Sequence, residues 1–118
     1  MKKSIKIGDT FVDFKASAST PRRYREKFGK DLLLDINNLL PHAQKGELDA
    51  YDLETFENLA YIMAKQADSS VPDDPSEWLD GFEVMDIYEA LPKLFELWGN
   101  NVQTLETPKK KQGRQKGN

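Results

Sequence analysis

One helical repeat of apolar residues constrains the fold more than any other feature of the chain. From Asp52 onward, apolar residues recur at spacings of three and four, which places them on one face of an α-helix. They are Leu53, Phe56, Leu59, Ala60, Met63, Ala64 and Ala67. The pattern predicts a core helix that ends near Ala67, and a chain of 118 residues can bury one core around it.

Helix-end residues predict two further helices before it. Thr20 suits an N-cap and Pro21 the first helical position, while Gly29 suits the left-handed residue that ends a short helix. Asp31 can cap a second helix. Pro41 and Gly46 are expected to end it. The apolar stripe of this second helix consists of Leu32, Leu33, Ile36, Leu39 and Leu40.

Two helices are predicted after it. Asp74 and Glu77 stand at the spacing of a capping box, which predicts a short helix that holds Trp78. Apolar spacings of four, three and four predict a last helix over 86–98, with a kink where Pro92 removes a hydrogen bond.

The first residues predict strands instead of a helix. Between Ser4 and Phe14, apolar and polar residues alternate on both sides of a Gly8-Asp9 turn, as in a β-hairpin. From Thr107 the chain has no apolar residue, so the tail 107–118 is expected to be disordered. The fold class is therefore mainly α with a small N-terminal β-hairpin, an α+β domain over 1–106 followed by a basic tail.

The composition argues against catalysis and against a bound cofactor. The chain has no cysteine and one histidine, His42, and its glycines form neither a phosphate loop nor a dinucleotide fingerprint. The acids between Asp73 and Asp80 lack the ligand spacing of a calcium loop. We therefore expect no enzyme activity, no cofactor and no metal. No apolar run is long enough for a membrane span, and the absence of cysteine fits a reducing cytoplasm.

Charge is segregated along the chain. Residues 1–30 carry nine Lys or Arg against three acids, and residues 31–106 carry three lysines against 17 acids. The tail 107–118 carries five basic residues and no acid. Such blocks can pair within one molecule, pair between copies as self-association, or present an acidic surface to a basic partner.

Arginines and aromatic residues supply the candidate partner-binding positions. The helix predicted after the hairpin is basic and could bind phosphates. The acidic body that follows it, residues 31–106, would however repel nucleic acid. The chain has more large aromatic rings than the packing of its short helices requires, so some of them are candidate interface anchors. The candidate positions are Arg22, Arg23, Tyr24, Arg25, Trp78, Phe82, Tyr88, Phe95 and Trp98.

Three segments in this order resemble the tail assembly chaperones of long, flexible-tailed phages and prophages of Gram-positive bacteria. They are ASTPRRYREKFGKDL (18–32), DLETFENLAYIMAKQA (52–67), and PSEWLDGF (75–82) leading into YEALPKLFELW (88–98). The order of the segments carries the resemblance, which extends from the hairpin to the lysine-rich tail.

The resemblance implies a protein of the host bacterial cytoplasm that is absent from the mature virion. Its partner would be the tape-measure protein, kept soluble until the major tail-tube protein polymerises around it, without nucleotide hydrolysis. It also implies a longer frameshifted product, for which Lys109 to Lys111 could mark the slippery codons. Two alternatives remain: a nucleic-acid-binding accessory protein that uses Arg22 to Lys27 and the tail, and a structural component of the tail.

Overall fold

A computed structural model describes residues 2–98 of the chain. Two strands come first and are followed by helices, which confirms the predicted fold class. The elements are β1 (Lys2–Ile7), β2 (Thr10–Lys15), α1 (Thr20–Phe28), α2 (Leu32–Lys45), α3 (Ala50–Ala67), α4 (Pro75–Leu79) and α5 (Val84–Glu89). The chain is helical again over 91–98, here named α6. The predicted tail 107–118 lies outside the described residues.

The predicted hairpin is confirmed and is slightly longer than expected. β1 and β2 pair antiparallel, with Ile5 opposite Val12 and Ile7 opposite Thr10. Gly8 makes the turn at φ +63°, a conformation that suits glycine because it has no Cβ. Ile5, Ile7 and Phe14 are buried on one face of the hairpin, which packs β2 against α3.

The central helix α3 organises the core, as its periodicity predicts. It contacts β2, α1, α2 and α4. It begins at Ala50, two residues before the predicted start, because Asp49 is the N-cap and Asp52 is the third helical residue. The Asp49 side chain accepts the Asp52 N–H and the Asp52 side chain accepts the Asp49 N–H, so the two residues form a capping box.

The start of α1 differs from the prediction by one residue. Ser19 takes the N-cap position, and Thr20 is the first helical residue and is fully buried. The Thr20 hydroxyl donates to Gln66 Oε1 at 2.8 Å and accepts the Ser17 N–H at 2.9 Å. This buried hydroxyl therefore ties α1 to the end of α3. Gly29 ends the helix at φ +69°, as predicted.

In α2 the cap is confirmed and the predicted end is partly wrong. The Asp31 side chain accepts the Leu34 N–H, and Gly46 closes the helix at φ +72°. Pro41, however, lies inside the helix. The helix tolerates it because Pro41 and Asn37, whose carbonyl loses its helical partner, are both exposed to solvent.

The stripe of α2 is narrower than predicted. Leu32, Ile36 and Leu39 are buried, whereas Leu33 and Leu40 are exposed. At about 100° of rotation per helical residue, Leu33 and Leu40 lie roughly a quarter turn around the helix from the three buried residues.

The last predicted helix is two helices in the structure. α5 ends at Glu89, Ala90 forms a turn, and α6 follows over 91–98. The predicted kink at Pro92 is thus wrong, since Pro92 lies in the first turn of α6, where no helical partner for its nitrogen is required. The predicted capping box of α4 is also wrong: Asp74 is the N-cap, but its side chain makes no cap hydrogen bond.

Candidate partner-binding surface

The nine candidate positions do not form one surface. Three of the rings belong to the core, since Tyr24, Trp78 and Trp98 are 0, 7 and 4% exposed. Their packing therefore removes them from the surface that a partner can reach in this fold. Phe95 is half-buried and packs against Phe56, with ring centroids 5.8 Å apart.

The three arginines lie on the exposed side of α1. Arg22 pairs with Glu26 at 3.3 Å, and Arg23 donates from Nε to the Ser19 hydroxyl at 3.1 Å. Between them, Tyr24 points into the core and donates to Asp35 Oδ2 at 3.0 Å. Burial, then the hydrogen bond and the charge of Asp35, raises the pKa of Tyr24, so this hydroxyl stays protonated and structural.

Phe82 and Tyr88 lie together in an apolar groove between α4 and α5. The groove is open to solvent, and its empty space of about 310 Å³ includes part of that solvent. It is lined by Glu57, Leu79, Phe82, Val84, Ile87 and Tyr88. We refer to these six residues as the α4–α5 groove.

Buried aromatic packing positions the groove. Trp78 meets Phe82 edge-on with centroids 5.1 Å apart. On its other sides Trp78 meets Phe14 of the hairpin at 6.4 Å and Tyr61 of α3 at 6.0 Å. The short α4 is thereby held by rings from two other elements, and Phe82 is left half-buried at the surface.

A hydrogen bond joins α5 to α3 at the wall of the groove. The Tyr88 hydroxyl donates to Glu57 Oε2 at 2.7 Å. This hydrogen bond, together with partial burial and the charge of Glu57, raises the pKa of Tyr88. The phenol therefore remains a neutral donor throughout the physiological range.

The edge of the groove combines exposed apolar side chains with negative charge. Val84 is 68% exposed and Met85, the next residue, is 65% exposed. The segment 71–89, which contains α4 and α5, carries seven acids and no basic residue. Within the described residues, Asp73 pairs with Lys65 at 2.9 Å, and none of the other six acids forms an ion pair.

Sequence patterns identify Phe82 and Tyr88 but miss Val84, Met85 and Glu57. Val84 and Met85 begin a helix of six residues in which only Ile87 is buried. Such a short element has no periodicity from which an exposed face could be predicted. Glu57 lies 31 residues before Tyr88, and no local signal links the two.

A second exposed apolar face lies on α2. Leu33, Leu34 and Leu40 are 50, 57 and 41% exposed. Among them stand the uncharged Asn37 and Asn38. This face is therefore apolar and neutral, unlike the surroundings of the α4–α5 groove.

His42 lies beside the capping box of α3 and is half-buried, as the sequence allows for a structural histidine. Its Nδ1 is 2.6 Å from Asp52 Oδ2, and Asp49 completes a group whose ligand atoms lie within 4.8 Å of one another. Burial opposes ionisation of Asp52, but the Asp49 N–H and His42 outweigh it and lower the Asp52 pKa. Helix capping and one His–Asp contact account for all three side chains.

Comparison of the chain with protein-family models, with curated proteins and with solved structures found no match. Among the described residues, no helix is long and apolar enough to cross a membrane.

Proposed function

We propose that this protein is a phage tail assembly chaperone that binds the tape-measure protein and keeps it soluble until tail-tube protein polymerises around it. The observation that carries the proposal is exposed apolar surface on an acidic helical body. Val84 lines the α4–α5 groove and Met85 follows it in α5, whereas Leu33 and Leu34 lie on α2. All four are at least half exposed.

These surfaces have the properties that a coating protein needs. Contiguous exposed apolar side chains on a soluble domain mark binding sites for other proteins. Residues 31–106 carry 17 acids against three lysines, and such a charged surface helps to keep a complex with an apolar partner in solution. Coating of this kind requires neither ATP nor metal.

The test is solubility of a tape-measure fragment in co-expression. The fragment is expressed alone, with the full chain, and with the chain ending at Glu106. We expect both chains to move the fragment into the soluble fraction and to co-purify with it, because binding rests on the helical body. If neither chain does so, the proposal is wrong; if only the shortened chain fails, binding depends on the tail.

The alternative of nucleic-acid binding has a separate measurement. Arg22, Arg23 and Arg25 are exposed on one helix, and a phosphate-binding role predicts affinity for DNA that falls steeply as salt rises. We expect no such affinity, because 16 acids against three lysines in residues 31–98 oppose the approach of a polyanion.

A further inference from the structure

We infer that the α4–α5 groove binds an amphipathic segment of a partner protein that carries Lys or Arg beside its apolar residues. The inference deepens the proposed function and rests on it for the identity of the partner. The chemistry of the bound segment follows from the groove itself.

The apolar residues of the bound segment follow from the side chains that the groove exposes. Leu79, Phe82 and Tyr88 are half-buried around the groove, and Val84 opens onto solvent at its edge. An open apolar groove can accept an apolar side chain, and helix-in-groove recognition uses apolar anchors spaced one turn apart. An apolar side of a helix therefore fits the groove.

The basic residues of the bound segment follow from the carboxylates at the groove. Glu57 lines the groove, and Glu83 stands between Phe82 and Val84, which also line it. Asp86 and Glu89 line a separate cleft together with Lys6 and Lys93. Neither Glu57 nor Glu83 forms an ion pair within residues 2–98. A partner with cations beside its apolar anchors pairs with them, whereas an acidic partner is repelled.

Other occupants fit less well. The tail 107–118 has five basic residues but no apolar residue, so it matches the carboxylates and leaves the groove empty. A second copy that met this one symmetrically through α5 would bring like charges together. The α2 face is neutral, and nothing in the structure indicates what would cover it.

The experiment uses two synthetic peptides of about 20 residues, long enough for several helical turns. One carries leucines on one helical face and lysines on the other, and its pair carries glutamates in place of the lysines. Binding of each labelled peptide to the full chain is followed by fluorescence anisotropy. We expect the lysine peptide to bind at least about tenfold more tightly, with an affinity that falls as salt rises from about 50 to about 500 mM.

A matched pair of variants locates the binding site. Val84→Ser with Met85→Ser removes the apolar edge of the groove, and Leu33→Ser with Leu34→Ser makes the same change on α2. All four side chains are at least half exposed, so both variants should fold, which their thermal melts will verify. We expect the groove variant to lose at least about tenfold in affinity and the α2 variant to stay within about twofold.

Three results would overturn the inference. The first is equal binding of both peptides, and the second is an equal or larger loss in the α2 variant. The third is binding at least about tenfold tighter by the chain ending at Glu106, which would assign the groove to the chain's own tail. Because no tape-measure fragment is used, failure here leaves the proposed function open, and failure of the co-expression test leaves the peptide result valid.

Discussion

Substitution of Gly8 tests how the hairpin is fixed against α5. Gly8 adopts φ +63°, and a Cβ placed there would lie 2.6 Å from Asp86 Oδ2. Gly8→Ala therefore has two costs: about 1–2 kcal/mol for a left-handed alanine, and about 0.5–1.5 kcal/mol for moving the Asp86 side chain out of its rotamer. We expect a loss of about 2–3 kcal/mol in the free energy of unfolding.

Gly29→Ala is the matched control for the backbone term. Gly29 has nearly the same φ, +69°, but nothing lies within 4 Å of its Cβ position. It should therefore lose only the backbone part, about 1–2 kcal/mol. Combining Gly8→Ala with Asp86→Ala completes a double-mutant cycle in which about 1 kcal/mol of the loss should be recovered.

Urea unfolding followed by circular dichroism of the helices gives each free energy. Equal losses for Gly8→Ala and Gly29→Ala, without recovery in the double variant, would show that Asp86 does not approach the turn. The position of α5, and with it the wall of the α4–α5 groove, would then need to be revised.

Three further predictions concern the core, the pH dependence and association. Phe56→Ala or Met63→Ala should destabilise the fold by about 2–5 kcal/mol, the range for emptying a core site, and unchanged melting of both would refute the packing of α3. The folded state lowers the Asp52 pKa, so its carboxylate stabilises the fold above the unfolded value of about 3.9 and this stability is lost as pH falls through the folded value. Asp52→Asn should thus lower the free energy of unfolding by about 1–3 kcal/mol at neutral pH, and the difference from the parent should narrow in acid. If urea unfolding gives the same difference at every pH, this prediction is wrong. Self-association that weakens with salt is expected from the basic residues 1–30 and the acidic body, and sedimentation as a monomer at all salt concentrations would leave only pairing within the molecule.

Local chemistry predicts much of the fold because several elements end on residues with one strong preference. Gly8, Gly29 and Gly46 all have positive φ, as a turn and two helix ends require. The apolar repeat from Phe56 to Ala64 is buried as predicted, because a long helix with a regular apolar face packs in only one orientation.

Long-range contacts decide what local chemistry leaves open. Ser19 and Thr20 are both good N-caps, and Gln66 settles the choice by holding the Thr20 hydroxyl in the core. Likewise, Trp78 and Phe82 are equivalent candidates in the sequence, and the rings of Phe14 and Tyr61 bury the first and leave the second at the surface.

The fold shows which of the segregated charges pair with each other. Over residues 2–98, two ion pairs join the basic first 30 residues to the acidic body: Lys3–Glu96 at 3.6 Å and Lys30–Glu54 at 3.8 Å. Both pairs are exposed and weak. The carboxylates between Asp74 and Glu89 take no part in such pairs within the described residues.

Unpaired carboxylates beside exposed apolar residues discriminate between partners. Two copies that met through α5 would bring like charges together, which disfavours this face for self-association and keeps it open to a basic partner. The neutral α2 face with Leu33 and Leu34 imposes no such restriction. If copies of the chain do associate, contacts through α2 or through the basic N-terminal residues are therefore compatible with a groove that remains free for the proposed basic segment.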